Sequence, residues 1–182
     1  TAAELAYEIL IENDGNNFIY APLVNYADHT FGVCKKMLDD KNAIMGLGDG
    51  GAHVGFILDA GYPTWLISYW SVKQKAYSME ETVRRLTSDT ANAAGLNDRG
   101  LLKVGLKADI NIIDWENVGS SDPFMTQDLP AGGKRLMQHT KGYVTTIVSG
   151  KVTYKNGEFT KERPGTVVKS VKDEEKTLEF IN

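Results

Sequence analysis

The spacing of apolar residues changes near Leu96, and two kinds of structure follow from that change. In the first stretch, Leu5 and Ile9 stand one helical turn apart and Asn13-Asp14-Gly15 ends the run, which predicts a helix over residues 1–13. Phe18-Ile19-Tyr20-Ala21 reads as a short buried strand stopped by Pro22. Residues 28–38 read as a second helix, with Asp28 or Asn25 as its cap and Phe31, Val33, Cys34, Met37 and Leu38 on its apolar side. Ala43-Ile44-Met45-Gly46-Leu47 is a second short strand, and it runs into a glycine-rich loop. Another helix opens at Pro63, a position where the missing N–H is harmless. Trp65, Leu66, Tyr69, Trp70 and Val72 make this helix strongly apolar, and its aromatic rings read as packing groups. Ser78-Met79-Glu80-Glu81 matches a capping box, and Met79, Val83 and Leu86 are expected to share the buried face behind it. A short helical turn follows over residues 90–94, stopped by Gly95.

Beyond Leu96 strand and turn signals take over. Ile110, Ile112 and Ile113 lie in one strand, residues 142–148 in another and residues 151–154 in a third. Ser149-Gly150 and Asn156-Gly157 are the turns, the second being a strong hairpin signal. Residues 119–141 read as a long connection with few apolar positions, and the charged tail from Lys172 to Lys176 as a solvated segment. Alternating helix and strand in the first part suggests a parallel sheet with covering helices, but two short strands are too few to close one. The chain is therefore expected to be one piece of a larger architecture.

Composition narrows the class. A hydrophobic fraction of 42% supplies a core, and a net charge of −4 argues against a nucleic-acid partner. No apolar run is long enough to span a bilayer and no leader pattern is visible, so no membrane partner is expected and a cytoplasmic location is. The single cysteine, Cys34, allows no internal disulfide and reads as a small buried apolar residue.

The candidate chemistry sits in Gly46-Leu47-Gly48-Asp49-Gly50-Gly51-Ala52-His53. Glycine permits backbone conformations closed to other residues and lets a ligand approach the main chain. Three readings stand for it. Gly46, Gly48 and Gly51 fit the spacing of a dinucleotide fingerprint, which needs a helix to start at once. A tight turn with a satisfied aspartate is the second. The third is a hydrolase aspartate just past a strand end, where α/β folds place their sites.

Several pieces, in order, support the third. The strand and Gly-Asp-Gly-Gly-Ala-His loop are followed by Ser78-Met79-Glu80-Glu81-Thr82-Val83, then Ala94-Gly95-Leu96 and Asp98-Arg99-Gly100. Gly105-Leu106-Lys107-Ala108-Asp109-Ile110, Val148-Ser149-Gly150-Lys151-Val152, Asn156-Gly157 and Arg163-Pro164-Gly165 continue the series. Together they resemble the end of an amidohydrolase, with the D-aminoacylase (N-acyl-D-amino-acid deacylase) branch as the match over about residues 43–168.

The resemblance implies an α/β fold in which residues 1–95 form the C-terminal portion of a metal-dependent (β/α)8 barrel, its last two strand–helix units. Residues 96–169 then form a small β-sandwich segment, and residues 170–182 a charged tail. It implies that Asp49 touches the metal and takes the proton from a metal-activated water, with zinc as the ion. Gly50, Gly51 and His53 would line the substrate position, and His53 reads as loop structure rather than as a ligand. The substrate would be a small molecule with a non-peptide C–N amide bond, such as an N-acyl-D-amino acid. The other catalytic ligands are expected upstream of Thr1, because the three histidines, His29, His53 and His139, form no paired motif. The segment alone is thus expected to be inactive and to self-associate through exposed barrel surfaces. A nucleotide-binding α/β domain built on the glycine loop and a non-enzymatic interaction module remain the alternatives.

Overall fold

The computed structural model describes residues 1–22, 24–47 and 50–168. Its helices come first: α1 (Ala2–Gly15), α2 (Gly32–Asp39), α3 (Tyr62–Trp65), a π-helix (Leu66–Lys73), α4 (Met79–Leu86) and α5 (Ser88–Ala93). Strands follow: β1 (Ile110–Ile113), β2 (Gly119–Ser120), β3 (Phe124–Leu129), β4 (Gly133–Met137), β5 (Thr140–Lys141), β6 (Tyr143–Val148), β7 (Lys151–Lys155) and β8 (Glu158–Phe159). The chain falls into two compact units. One gathers Thr1–Ala43, Gly48–Ala60 and Asp122–His139; the other gathers Ile44–Leu47, Gly61–Ser121 and Thr140–Asn182. The expected charged tail at 170–182 lies outside the described residues.

In the first unit, α1 ends where the sequence places its stop. Glu12 leaves helical geometry, and Asn13, Asp14 and Gly15 take positive φ in succession, at 53°, 55° and 74°. The second helix begins at Gly32 rather than at residue 28. Asp28 does not cap it. Its carboxylate instead accepts from the Thr30 amide and hydroxyl, a local turn that competes with helix formation. These bonds, the Thr30 side chain first, hold the Asp28 carboxyl below the usual carboxylate range.

The two expected barrel strands are corrected here. Residues 18–21 and 43–47 carry no regular secondary structure and join no ladder among the described residues. A strand needs a neighbour to take its N–H and C=O groups, and these runs have none among the described residues. Phe18, Ile19 and Tyr20 are exposed as a result. The expected featureless connection at 119–141 is corrected as well. It holds β2 to β5, with β3 and β4 forming an antiparallel hairpin around Pro130-Ala131-Gly132. Across that hairpin Arg135 donates to both Asp128 oxygens at 2.7 and 2.5 Å.

Every fully buried side chain among the described residues belongs to the second unit. Leu66, Ile67, Trp70 and Ser71 form the buried face of the π-helix. Leu66 and Ile67 recur four residues on as Trp70 and Ser71, so the four share one side of the helix. Burying each large apolar member contributes about 1.5–3 kcal/mol before strain and entropy. The Ser71 hydroxyl donates to the Tyr77 carbonyl at 3.0 Å, so its polar atom is satisfied inside. Trp65 stacks on Tyr69 at 4.4 Å, and Trp70 meets both rings edge-on, in keeping with the packing role read from the sequence.

Ser78 caps α4, accepting from the Glu81 amide at 3.1 Å. The Glu81 carboxylate turns to Arg85 at 2.8 Å, whose guanidinium also lies over the Tyr77 ring. The expected buried face of α4 is corrected: Met79 and Val83 are exposed, and Thr82 is the fully buried residue. Thr82 is tolerated there because its hydroxyl donates back to the Ser78 carbonyl at 2.8 Å.

The sheet of the second unit runs β1-β6-β7-β8, all antiparallel. Both of its hairpin turns place two residues at positive φ, Ser149-Gly150 and Asn156-Gly157, the geometry whose twist matches the flanking strands. Asp109 ties the start of β1 to the first turn by accepting from the Ser149 amide at 2.8 Å, and it also accepts from Arg99 at 3.1 Å. Arg99 grips Asp98 with two further bonds. Gly142, at φ +87°, passes so close to the chain that a Cβ would lie 2.6 Å from the Val118 Cα. Gly105, at φ +93°, has open space around the same position.

That pair of glycines separates backbone strain from collision. In urea unfolding, Gly105→Ala should lose about 1 kcal/mol from the positive φ alone, and Gly142→Ala distinctly more. Equal losses would show that the Gly142 approach is not tight. The Arg99 bonds hold the Asp98 carboxyl below its usual range. A depressed folded value means the pair stabilises above the unfolded carboxylate pKa and loses that effect as pH falls through the folded one. Asp98→Asn should therefore flatten the acid limb of a stability–pH curve and leave it unchanged near neutrality in slope.

Candidate functional site

The loop singled out by its glycines follows an irregular segment in which Met45 and Leu47 are half-buried. Gly48 and Asp49 lie outside the described residues, so the proton-acceptor and metal-contact roles expected of Asp49 rest on the sequence. Downstream, Gly50, Gly51 and His53 are brought onto one exposed loop. Gly51 adopts φ +87° with nothing within 4 Å of where a Cβ would stand. It serves the turn of the backbone rather than close packing.

His53 organises this loop through its main chain. It sits at φ 50°, and its carbonyl accepts from the Phe56 and Ile57 amides, both at 2.9 Å. The two bonds close a single turn, and the imidazole lies tilted against the Phe56 ring at 5.0 Å. Beyond it, the Val54 carbonyl accepts from the Leu136 amide of β4 at 2.7 Å. Hairpin and loop belong to the same compact unit.

The dinucleotide alternative fails on this geometry. Pyrophosphate binding needs a helix N-terminus at the last glycine of the fingerprint. Residues 50–56 form turns, and the next helix begins only at Tyr62.

The donors on hand do not make a zinc site by themselves. A catalytic zinc needs about three protein ligands and an open position. No group of three His, Cys, Asp or Glu side chains converges among the described residues. His29 meets Tyr26 edge-on, and His139 lies against Phe124 at 4.7 Å. Cys34 is half-buried in α2 with its thiol 3.5 Å from the Asn25 carbonyl. The arginines are also engaged: Arg84 with Asp89, Arg85 with Glu81, Arg99 with Asp98, Arg135 with Asp128, and Arg163 over the Phe159 ring.

Sequence reasoning missed the β3–β4 hairpin and its bond to the loop. The signal was present. Phe124-Met125-Thr126 and Arg135-Leu136-Met137 flank a Pro-Ala-Gly-Gly turn, which is a hairpin pattern with a longer loop.

Comparison with known proteins adds a family. A sequence model described as the amidohydrolase family matches residues 21–154. Over 89 residues the chain is 33% identical to a dihydroorotase of Lactobacillus acidophilus, an overlap that covers 47% of this chain and 20% of that protein. The chain thus spans about a fifth of the length of the curated relative it matches. No solved structure matches it significantly. No helix among the described residues is long and apolar enough to cross a membrane.

The scattered donors predict the outcome of a metal titration. Calorimetry of this chain with zinc should show no tight one-to-one site. A tight site abolished by alanine at His29, His53 or His139 would contradict the geometry.

Proposed function

This chain belongs to the amidohydrolase family, and we propose that it supplies the closing part of a metal-dependent hydrolase that cleaves a non-peptide C–N amide bond, such as that of an N-acyl-D-amino acid. The observation that carries this reading is the family match over residues 21–154, which includes the glycine loop and the strands through β6. In this reading residues 1–95 belong to the end of a (β/α)8 barrel and the later strands to a small β-sandwich. Asp49 is the proton acceptor for the attacking water, and returns the proton to the leaving amine. A carboxylate does this work when it stands within hydrogen-bond reach of both atoms. Gly50, Gly51 and His53 border the substrate. Zinc is the expected ion, and its remaining ligands are assigned to residues outside this chain.

Apolar side chains left uncovered support a second part of the reading, self-association. Leu5, Tyr7, Leu10 and Ile11 are all exposed on α1, and large apolar side chains left in water are better satisfied against a partner.

Two measurements test these statements. With an N-acetyl-D-amino acid as substrate for the intact enzyme, Asp49→Asn should lower kcat by about 10²–10⁴-fold and change KM little. Activity within a few-fold of the parent would remove Asp49 from the chemistry. In sedimentation equilibrium this chain should be larger than a monomer, and Leu10→Lys with Ile11→Lys should shift it toward one. A monomer at every concentration would end the self-association proposal.

A further inference from the structure

We propose that an open groove in the second unit binds a free α-amino acid with an apolar side chain. The groove lies between the end of the π-helix, the start of α4 and the short helical turn Trp115–Asn117. Lys75 takes the ligand carboxylate and Glu116 its ammonium, while Trp115, Val72 and Met79 receive its side chain. All of these residues belong to the second unit, and the reading of Asp49 plays no part in the site.

The volume of the groove is about 470 Å³. That is the size of a small-molecule site. Its buried polar groups are already committed within the fold. The Ser71 hydroxyl donates to the Tyr77 carbonyl at 3.0 Å, and the Ser78 hydroxyl accepts from the Glu81 amide at 3.1 Å. Recognition therefore falls to the half-buried Trp115 and to the two exposed charges.

Lys75 and Glu116 line the same groove without forming an ion pair with each other. Neither has an ion-pair or hydrogen-bond partner among the described residues. A ligand carrying both charges can bridge them. A phosphate would meet the like charge of Glu116, and a polyamine that of Lys75, so a zwitterion fits best. The backbone points the same way. Lys75 sits at φ 52° just past the π-helix, where the Ala76 amide returns to the Trp70 carbonyl at 2.8 Å. Glycine fills such a helix stop at least cost. Asparagine or aspartate can offset the strain with a local hydrogen bond. Lysine has no short polar group to do so, and strained backbone gathers at ligand-binding positions.

Both charges are exposed, so salt screens them and the affinity is modest. In the full chain, phenylalanine should shift the Trp115 indole N–H resonance saturably, with a Kd on the order of 1 mM. N-acetylphenylalanine lacks the ammonium and phenylalaninamide lacks the carboxylate, so each should bind about tenfold more weakly. Lys75→Gly removes the cation and relieves the backbone. It should fold at least as well as the parent and lose the preference for phenylalanine over its amide. Glu116→Gln should erase the preference over N-acetylphenylalanine. Equal binding of the three compounds by the parent chain would overturn the proposal. So would phenylalanine failing to saturate by about 20 mM, or either variant, folded, keeping the preference it is expected to lose.

Discussion

The second unit depends on one buried face, that of Leu66, Ile67 and Trp70 on the π-helix. Around it each polar group that enters the interior brings its own partner. Thr64 shares a hydrogen bond with the Tyr143 hydroxyl at 2.9 Å and so links the helix start to β6. Ser71 finds the Tyr77 carbonyl, and Thr82 the Ser78 carbonyl. No buried side-chain nitrogen or oxygen lacks a partner among the described residues. Apolar burial supplies the drive, and local hydrogen bonds keep the desolvation of these hydroxyls from opposing it.

Among the described residues the first unit has no comparable face. Its elements are held by turns, by the Asp128–Arg135 pair and by short-range backbone bonds, which are individually modest at exposed sites. Segments that the sequence marks as strands, one in this unit and one largely in the other, form no ladder among the described residues. Apolar runs such as residues 18–21 and 43–47 announce that a strand wants neighbours; they cannot name them, because pairing is a property of the whole sheet.

The same distinction explains what was legible. Turns were read well because their chemistry is local. Asn13-Asp14-Gly15, Ser149-Gly150 and Asn156-Gly157 take the left-handed backbone that such residues allow. The Ser78 cap was equally local. The buried face of α4 was misread because apolar spacing put Met79 and Val83 inward, whereas a self-satisfied threonine faces the core. The β3–β4 hairpin was missed because its polar residues Thr126, Gln127 and Asp128 hid the alternation. At the candidate site, the glycine loop and the family resemblance were visible in the residue types. The Leu136–Val54 bond was not, since it joins main-chain atoms of residues far apart in sequence and carries no side-chain signature.

The two tight turns of the β6-β7-β8 meander also bear on the order of assembly. Each closes a loop between adjacent strands, so its entropic cost is small and its pairing comes early. Strand β1 must instead find β6 across everything between Asp114 and Gly142. At its start, Asp109 accepts from the Ser149 amide that the turn displays. The meander thus closes only short loops, whereas β1 closes a long one and is held by its ladder with β6 together with the Asp109 carboxylate.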